Sequence, residues 1–396
     1  MRVAIIGQGY VGLTIAFGAA GAGHSAVGFD VNDGLVAQLN AGKSHIEGIS
    51  DSELAGLVAA GSYSASADAS LLDGCDVIVI AVPTPLDESR NPDLSYVQAA
   101  ADLIRTHVKS PTLIINESTS YPGTLRNEIA TRITGIEHIY ASSPERVDPG
   151  NTQWGTKNTP RLIGGLTPAA VAKAREFYGS FCDSIIEVSS PEVAEAAKIF
   201  ENTFRQVNIA LVNEFAQISD ALGISSREVI EAAATKPYGF MAFNPGPGVG
   251  GHCIPVDPSY LAHVANEVGV PATFIKRANE VNLAMPAYVV KRVVAGCGGS
   301  VNGKKVVVVG VSYKSNVADT RETPAAAVID LLREQGAIVT WHDDLVGSWR
   351  GESSSPIAGA DMAVVVTMHD GVDLAAVKAC GYVFDCTGNI AGVDGI

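Results

Sequence analysis

One cysteine of this chain lies in a loop sequence that could perform covalent chemistry. Residues 250–257 read GGHCIPVD, so two glycines and a histidine precede Cys253, and Asp257 follows it by four positions. Glycines beside a nucleophile let a substrate approach the backbone closely, and a thiolate attacks electrophilic carbon. A single loop cysteine is more often structural. A metal site is disfavoured because His252 and Cys253 are adjacent, with no second ligand pair at zinc spacing.

Three polar residues, Lys198, Asn202 and Arg205, occur at i, i+4 and i+7 in a long helical segment. This spacing places them on one helix face, which could be an ordinary solvated stripe. Several neighbours are nevertheless apolar, namely Ala194, Ala197, Phe204, Ile209 and Leu211. A lysine and an amide on a buried helix are unfavourable unless they have a partner or a task, which makes the three residues candidates for a site.

A glycine triplet, Gly7, Gly9 and Gly12, follows the first strand and opens a helix. Such glycines allow a tight turn and close approach of a pyrophosphate to the helix N-terminus. Asp30 ends the second strand, where a carboxylate can accept both ribose hydroxyls and repel a 2′-phosphate. The pattern predicts an NAD site. The alternative is a glycine-tightened turn that binds nothing.

Polar residues also follow two later strands. Glu145 and Arg146 come after the strand at 139–141, and the segment 117–120, which includes Thr119, follows the strand at 112–116. Ligands of parallel sheets bind at the carboxyl ends of the strands, so we expect these residues to face the dinucleotide.

The elements along the chain predict an α/β fold. We expect two Rossmann-like parallel-sheet domains, at 1–190 and 299–396, joined by a central all-helical domain at 191–298. A serine, a proline and an acid begin a helix at Pro191, which has no breaker before Gly223. A second strand–glycine–helix unit begins at Gly310 but lacks the triplet, so we expect it not to bind a dinucleotide.

Composition excludes some classes of protein. The chain has 27 basic and 42 acidic residues, for a net charge of −15, which argues against nucleic acid as a partner. No apolar stretch is long enough to span a bilayer, and the N-terminus does not read as a signal peptide. We therefore expect a cytoplasmic protein that does not bind membranes, with its six scattered cysteines reduced.

Several motifs resemble those of the UDP-glucose/GDP-mannose dehydrogenase family, in the same order and over essentially the whole chain. The matching segments are 81–86 (AVPTPL), 117–124 (ESTSYPGT), 143–146 (SPER), 198–205 (KIFENTFR), 250–257 (GGHCIPVD) and 313–321 (YKSNVADTR). Segments 143–150 (SPERVDPG) and 245–251 (PGPGVGG) look most like the N-acetylated sugar branch. Segment 236–240 (KPYGF) looks like UDP-N-acetylglucosamine 6-dehydrogenases. UDP-N-acetylmannosamine enzymes share the PGPG loop, and UDP-glucose is a further alternative.

The resemblance implies oxidation of the sugar C6 hydroxyl to a carboxylate with two NAD per substrate. Cys253 matches the family nucleophile, which forms a thiohemiacetal and then a thioester. Lys198 and Asn202 match a pair that stabilises an oxyanion. Asp257, Glu145 and Thr119 match groups that position water.

The resemblance also implies binding residues and a partner. Contacts to NAD are expected at Gly7, Gly9, Tyr10, Val11, Gly12, Asp30, Pro83, Thr84 and Thr119. Contacts to the UDP-sugar are expected at Glu145, Arg146, Lys198, Asn202, Arg205, Phe243, Gly250, Lys314 and Arg321. Without the resemblance, Lys314 and Arg321 would read as surface charge. The family forms dimers around its long central helix, so we expect a homodimer.

Two other classes remain possible from the residues. A two-electron hydroxyacid dehydrogenase also places a lysine and an asparagine one helical turn apart, but it needs no cysteine and no second α/β unit. A catalytically inactive nucleotide-binding protein would keep the glycine triplet without needing Cys253, Lys198 and Asp257 together.

Overall fold

Short β-branched runs form the first sheet because their side chains are buried on both faces. The computed structural model describes residues 1–46, 48–148, 150–151 and 153–396. Pro149, part of the motif at 143–150, lies outside the described residues. The first sheet has eight strands: β1 (Arg2–Ile6), β2 (Ser25–Phe29), β3 (Tyr63–Ser66), β4 (Val77–Ile80), β5 (Leu113–Asn116), β6 (Ile139–Ser142), β7 (Arg161–Gly165) and β8 (Ile185–Glu187).

The order of these strands creates a place for a ligand. They are arranged β3-β2-β1-β4-β5-β6-β7-β8, and β1 pairs in parallel with both β2 and β4. The strand order therefore reverses between β1 and β4, which is where parallel sheets bind ligands at their carboxyl ends. One pairing differs from the predicted parallel sheet, because β7 runs antiparallel to β6 and parallel to β8.

The second sheet is smaller and is also built from valine-rich runs. The strands of the second half of the chain are β9 (Lys305–Val309), β10 (Ile338–His342), β11 (Ser348–Trp349), β12 (Glu352–Ser353), β13 (Met362–Val365), β14 (Tyr382–Asp385) and β15 (Asp394–Gly395). Five of them form a parallel sheet in the order β10-β9-β13-β14-β15, and β11 and β12 form a separate hairpin.

Helices cover the sheets and fill the segment between them. They are α1 (Tyr10–Gly21), α2 (Asp33–Asn40), α3 (Asp51–Ala59), α4 (Ser95–His107), α5 (Pro168–Gly179), α6 (Pro191–Leu222), α7 (Ser226–Ala234), α8 (Asp257–Glu267), α9 (Thr273–Gly296), α10 (Pro324–Glu334) and α11 (Leu374–Lys378). A π-helical turn spans Leu125–Ala130. Within the described ranges, no helix combines the length and apolar character that crossing a bilayer requires.

The long helix α6 has the bounds predicted from sequence. Pro191 occupies its first turn with Glu192, and Gly223, with φ of +70°, follows its last residue. Thirty-two residues correspond to a length of about 48 Å at the usual rise per residue. The first sheet, parallel except between β6 and β7, the parallel second sheet and the helical segment between them with this helix confirm the predicted fold class.

By compactness, the described chain divides into two units. The N-terminal unit comprises Met1–Glu201 and Ser259–Gly269, and the C-terminal unit comprises Asn202–Pro258 and Val270–Ile396. The first sheet belongs to the N-terminal unit, and the second sheet belongs to the C-terminal unit. The division into the three segments 1–190, 191–298 and 299–396 stays a prediction.

Candidate active site

Three glycines shape the loop between β1 and α1. Gly7 has φ of +90°, and a Cβ there would lie 2.4 Å from the carbonyl oxygen of Ala81. A Cβ on Gly12 would lie 1.8 Å from the carbonyl oxygen of Gly7, so only glycine permits this packing. A Cβ on Gly9 would meet no described atom within 4 Å, and Gly9 provides no side-chain cap for α1. The space at Gly9 and the N–H groups opening α1 therefore fit a pyrophosphate.

Asp30 lies against the same loop. Its Oδ2 accepts the N–H of Gln8 at 2.8 Å, and its Oδ1 accepts the N–H of Asn32 at 2.9 Å. Each oxygen has a second lone pair, so this half-buried carboxylate can still accept ribose hydroxyls. Tyr10 and Val11 open α1 and are half-buried. The residues present fit NAD, which Gly9 and Asp30 would hold through its pyrophosphate and a ribose.

The loops after β4 and β5 are fastened together at the carboxyl end of the sheet. The Oγ of Ser118 accepts the N–H of Val82 and donates to the carbonyl of Val82, both at 2.9 Å. Pro83 is exposed and Thr84 is buried. Thr119 is half-buried, and its hydroxyl has no hydrogen-bond partner among the described residues. That hydroxyl is therefore available to a ligand.

The second sheet repeats the backbone arrangement of the first glycine loop. The N–H of Gly310 donates to the carbonyl of His342, and the N–H of Val311 donates to Oδ2 of Asp343, each at 2.8 Å. Gly310 has φ of +83°, like the first glycine of the N-terminal loop. Asp343 thus takes the position in the C-terminal unit that corresponds to Asp30.

Protein groups enclose Asp343, unlike Asp30. Its Oδ2 accepts the N–H and the hydroxyl of Ser312, both at 3.0 Å, and lies 3.1 Å from Nε2 of His369. Although burial opposes this, hydrogen bonds from His369 and the backbone hold the pKa of Asp343 well below its usual range. Nδ1 of His369 accepts the N–H of Asn316 at 2.8 Å, two residues after Lys314. The acid therefore braces the loop that carries Lys314.

Glu145 and Arg146 are both engaged with other protein groups. Oε1 of Glu145 accepts the N–H groups of Arg146 and Val147 at 2.7 and 2.9 Å. The Arg146 guanidinium donates to Glu201 through Nη2 at 2.6 Å and to the carbonyl of Pro160 through Nη1 at 2.8 Å. A substrate contact by Arg146 would therefore require it to exchange partners.

The polar stripe of α6 is partly buried. Lys198 is 8% exposed and Asn202 is 5% exposed, whereas Arg205 is exposed. Nδ2 of Asn202 donates to Oδ2 of Asp257 at 2.6 Å. The ammonium of Lys198 has no hydrogen bond or ion pair with the residues that the structure describes. A mostly buried lysine without a protein partner is suited to binding an anionic or oxygen-bearing ligand.

The candidate nucleophile is exposed and lies in a braced turn. Cys253 is exposed, and all six cysteines of the chain are thiols. The carbonyl of Cys253 accepts the N–H of Val256 at 3.1 Å and that of Asp257 at 2.8 Å. Asp257 begins α8 and is 3% exposed. Within the C-terminal unit, the Asn202–Asp257 bond therefore fixes the turn that presents the thiol.

The two glycines that precede His252 and Cys253 pack closely against another loop. A Cβ on Gly251, which has φ of +86°, would lie 2.8 Å from the ring of Tyr313, and one on Gly250 would lie 2.7 Å from Cβ of Tyr313. The N–H of Gly251 also donates to the carbonyl of Arg321 at 3.0 Å. These glycines allow the cysteine loop to pack against residues 313–321 of the same unit.

Arg321 brings positive charge to this loop. Hydrogen bonds to Asp319 are the main cause of the raised pKa of Arg321, and electrostatic interaction with Tyr313 and Cys253 contributes. A nearby cation favours the thiolate form of a cysteine. The remaining predicted residues are Lys314, which is half-buried, and Phe243, whose ring lies 6.0 Å from that of Phe204.

Sequence reasoning missed two buried groups next to the predicted residues. Arg161 donates to Glu145 through Nη2 at 2.7 Å. Glu195 of α6 accepts the N–H of Gly123 at 2.7 Å and that of Leu125 at 2.9 Å, which fastens the loop carrying Thr119. Burial raises the pKa of Glu195 to about 8. Neither residue belongs to a local motif, so no signal in the sequence distinguished them.

Three consecutive segments match one protein family. Residues 1–182 match the NAD binding domain of the UDP-glucose/GDP-mannose dehydrogenase family, residues 192–284 its central domain, and residues 307–390 its UDP binding domain. The chain is 38% identical over 379 residues to the UDP-N-acetyl-D-mannosamine dehydrogenase of Methanococcus maripaludis, covering 93% of this chain and 86% of that enzyme. It is 36% identical over 345 residues to the UDP-N-acetyl-D-glucosamine 6-dehydrogenase of Pseudomonas aeruginosa, covering 84% and 80%.

Solved structures agree with these matches. The UDP-D-ManNAc dehydrogenase from Pyrococcus horikoshii superimposes with a TM-score of 0.91 at 31% identity, covering 100% of this chain and 99% of that one. A UDP-glucose dehydrogenase from Pyrobaculum islandicum gives a TM-score of 0.85 at 27% identity, covering 97% and 94%. The chain is an NAD-dependent oxidoreductase and belongs to the UDP-glucose/GDP-mannose dehydrogenase family.

Proposed function

We propose that the chain oxidises the C6 hydroxyl of a UDP-N-acetylhexosamine to a carboxylate. The observation that carries this proposal is the exposed thiol of Cys253 in a turn fixed by the buried Asn202–Asp257 hydrogen bond. A two-electron dehydrogenase needs no such nucleophile. The UDP binding domain match at 307–390 supports a nucleotide-linked substrate.

Cys253 would make the second oxidation possible without releasing an aldehyde. Its thiolate adds to the C6 aldehyde carbon and forms a thiohemiacetal, loss of hydride from that carbon gives a thioester, and water hydrolyses the thioester to carboxylate and thiol. NAD, when bound, accepts a hydride in each of the two oxidation steps. The overall reaction therefore consumes two NAD and one water per sugar.

The other catalytic residues are assigned on their chemistry. Lys198 and Asn202 would donate to the oxygen that becomes negatively charged as Cys253 adds to the aldehyde. Asp257 would hold Asn202 and orient water, and Glu145 and Thr119 would also position water. These assignments are supported by the burial of the two carboxyl groups and of Lys198.

The substrate would be held by the groups that match the family motifs. Lys314 and Arg321 would contact the nucleotide or its phosphates, and Phe243, Gly250 and Arg205 would line the sugar side. Lys314 is half-buried and lies in the loop braced by His369. We expect phosphate oxygens to be recognised there by charge-assisted hydrogen bonds.

The identity of the sugar can be tested with a substrate panel. UDP-N-acetylglucosamine, supported by the segment 236–240, and UDP-N-acetylmannosamine, the substrate in the names of more of the compared relatives, differ only at C2. We expect at least one of them to give kcat/KM about tenfold or more above that of UDP-glucose, and two NADH per sugar. One NADH per sugar with every substrate would contradict the proposal.

We also propose that the chain forms a homodimer through α6. This helix exposes a stripe of large apolar side chains at spacings of seven and four: Val193, Phe200, Phe204, Leu211, Ile218 and Leu222. Seven-residue spacing of apolar side chains is typical of helix pairing.

Leu211→Glu is expected to convert the dimer to a monomer, because Leu211 is 62% exposed near the middle of the stripe. Light scattering after gel filtration measures the mass. Val268→Glu, an equivalent change at a 70% exposed position outside α6, is the matched control and should remain dimeric. A dimeric Leu211→Glu variant would show that another surface pairs the chains.

A further inference from the structure

A buried arginine joins two carboxylates at the ends of neighbouring strands. Nη1 of Arg161, the first residue of β7, donates to Oε1 of Glu117 at 2.6 Å, and Nη2 donates to Oε2 of Glu145 at 2.7 Å. Nη1 also lies 3.3 Å from Oγ of Ser143. The side chains of Arg161, Glu117 and Glu145 are 3%, 0% and 11% exposed, so water screens their charges little.

The two carboxylates are held differently. Glu145 accepts two backbone N–H groups in addition to Arg161. Oε1 of Glu117 accepts the hydroxyl of Tyr178, whose ring centroid lies 4.4 Å from the guanidinium carbon of Arg161. Oε2 of Glu117 is buried and has no hydrogen-bond partner among the described residues. Arg161 therefore binds two carboxylates, and one of them, Glu117, has an oxygen without a hydrogen bond among the described residues.

We propose that Arg161 and Glu117 are positioning residues for Glu145. The guanidinium fixes the Glu145 carboxylate in one orientation, and the charge on Glu117 sets how strongly Arg161 holds it. When Glu117 is neutral, the positive charge of Arg161 balances the negative charge of Glu145 alone. Glu145 is then a weak proton acceptor. When Glu117 is ionised, it competes for the same guanidinium and leaves Glu145 better able to accept a hydrogen bond from water. This inference rests on the proposed role of Glu145 in the reaction.

The electrostatic surroundings place the ionisation of Glu117 near neutral pH. Burial raises the pKa of Glu117 to about 7, with Arg161 opposing and Glu145 adding to the rise. The groups that face Glu117 are Arg161, Glu145, Tyr178 and Cys182. For Glu145, burial is outweighed by Arg161 and by the two backbone N–H groups, so its pKa is lowered. Of the two carboxyl groups that Arg161 binds, Glu117 is therefore the one that changes charge near neutral pH.

The first test follows kcat against pH from 5.5 to 8.5 in the parent, Glu117→Gln and Arg161→Lys. We expect parental kcat to rise through an inflection near pH 7 that Glu117→Gln lacks. At pH 8 we expect kcat to fall about tenfold in Glu117→Gln and about 100-fold in Arg161→Lys, because misplaced catalytic groups lose rate steeply. KM should change little. Glu187→Gln, in the exposed Arg175–Glu187 pair, is the matched control and should keep the parental profile.

A second readout does not depend on turnover. A carboxyl group whose pKa is raised on folding stabilises the fold at low pH, and this contribution is lost as pH rises through the folded pKa. The parent should therefore lose thermal stability relative to Glu117→Gln between pH 5 and pH 8. Glu117→Asp, which keeps the charge, should retain a pH-dependent difference if Glu117→Gln folds poorly.

The outcomes separate the two proposals. If the parent yields no NADH from any UDP-sugar, the proposed function is wrong, and the unfolding series still tests the charge network. If the parent is active while Glu117→Gln keeps both the parental kcat profile and the parental pH dependence of unfolding, the positioning role of Glu117 and Arg161 is wrong.

Discussion

Replacing Cys253 with serine is expected to lower turnover by at least about 10³-fold and to abolish the second NADH per sugar. A serine hydroxyl is not ionised near neutral pH, so it cannot trap the aldehyde as the thiolate does. Absorbance of NADH against limiting UDP-N-acetylhexosamine measures both the rate and the stoichiometry. The turn itself should survive, because its hydrogen bonds come from backbone groups and from Asp257.

Cys297→Ser is the matched control for this experiment. Cys297 follows α9 and its Sγ donates to backbone carbonyls, so its replacement should leave two NADH per sugar. Alkylation adds a second measurement, since exposed Cys253 should react before the buried Cys75, Cys182 and Cys386. A Cys253→Ser variant that still released two NADH per sugar at the parental rate would remove the thioester from the mechanism.

Replacing Lys198 with methionine is expected to lower kcat by about 10²- to 10³-fold while making the protein more stable. Loss of one preorganised donor to a developing oxyanion typically has an effect of this size on rate. Lys198 is 8% exposed, and its ammonium has no partner among the described residues, so an apolar side chain of similar length suits this position at least as well. We expect the free energy of unfolding to rise by roughly 1 kcal/mol.

Opposite signs for activity and stability distinguish a functional lysine from a structural one. Denaturant unfolding and steady-state kinetics on the same preparation supply both values. Lys291→Met, at an exposed position on α9, is the control and should change neither. A Lys198→Met variant that lost stability and activity together would indicate that Lys198 supports the fold through a contact of its own.

Local signals predicted the parts of the fold that depend on local chemistry. The bounds of α6 were predictable because a proline in the first turn and Gly223 after the last residue fix both ends. The glycine loop was predictable because positive φ at Gly7 and close packing at Gly12 each demand glycine. NAD as cofactor and the family were likewise confirmed by the domain matches.

Strand pairing and ion pairs between distant parts of the chain could not be predicted from local signals. β7 and β8 join the sheet through an antiparallel contact between β6 and β7, and nothing in residues 161–165 specifies that direction. Arg161 lies 44 residues from Glu117 and 16 from Glu145, so no local spacing connects them. Its role depends on three strand ends meeting, which only the folded sheet reveals.

The reason for the glycines in the cysteine loop was also only partly predictable from sequence. The glycines at 250 and 251 indicated a special loop, and space for a substrate, the reason expected from sequence, stays a prediction. The structure adds a second reason, because their Cβ positions would collide with Tyr313, about sixty residues later in the same unit. A glycine requirement is visible in a sequence, whereas the neighbour that imposes it is not.

Because the N-terminal unit is built from two separate stretches of chain, it cannot complete its folding early in synthesis. That unit takes residues 1–201 from one stretch of chain and residues 259–269 from another, and the hydroxyl of Tyr260 in the second stretch donates to the carbonyl of Pro85 in the first. During synthesis from the N-terminus, the eight-stranded sheet leaves the ribosome before residues 259–269 exist. The nascent N-terminal unit therefore stays incomplete, with the loop at Pro85 lacking its contact to Tyr260, until residues 259–269 have also been translated. A ribosome stalled before residue 259 should hold a chain more easily cleaved by protease near Pro85 than one released after residue 269.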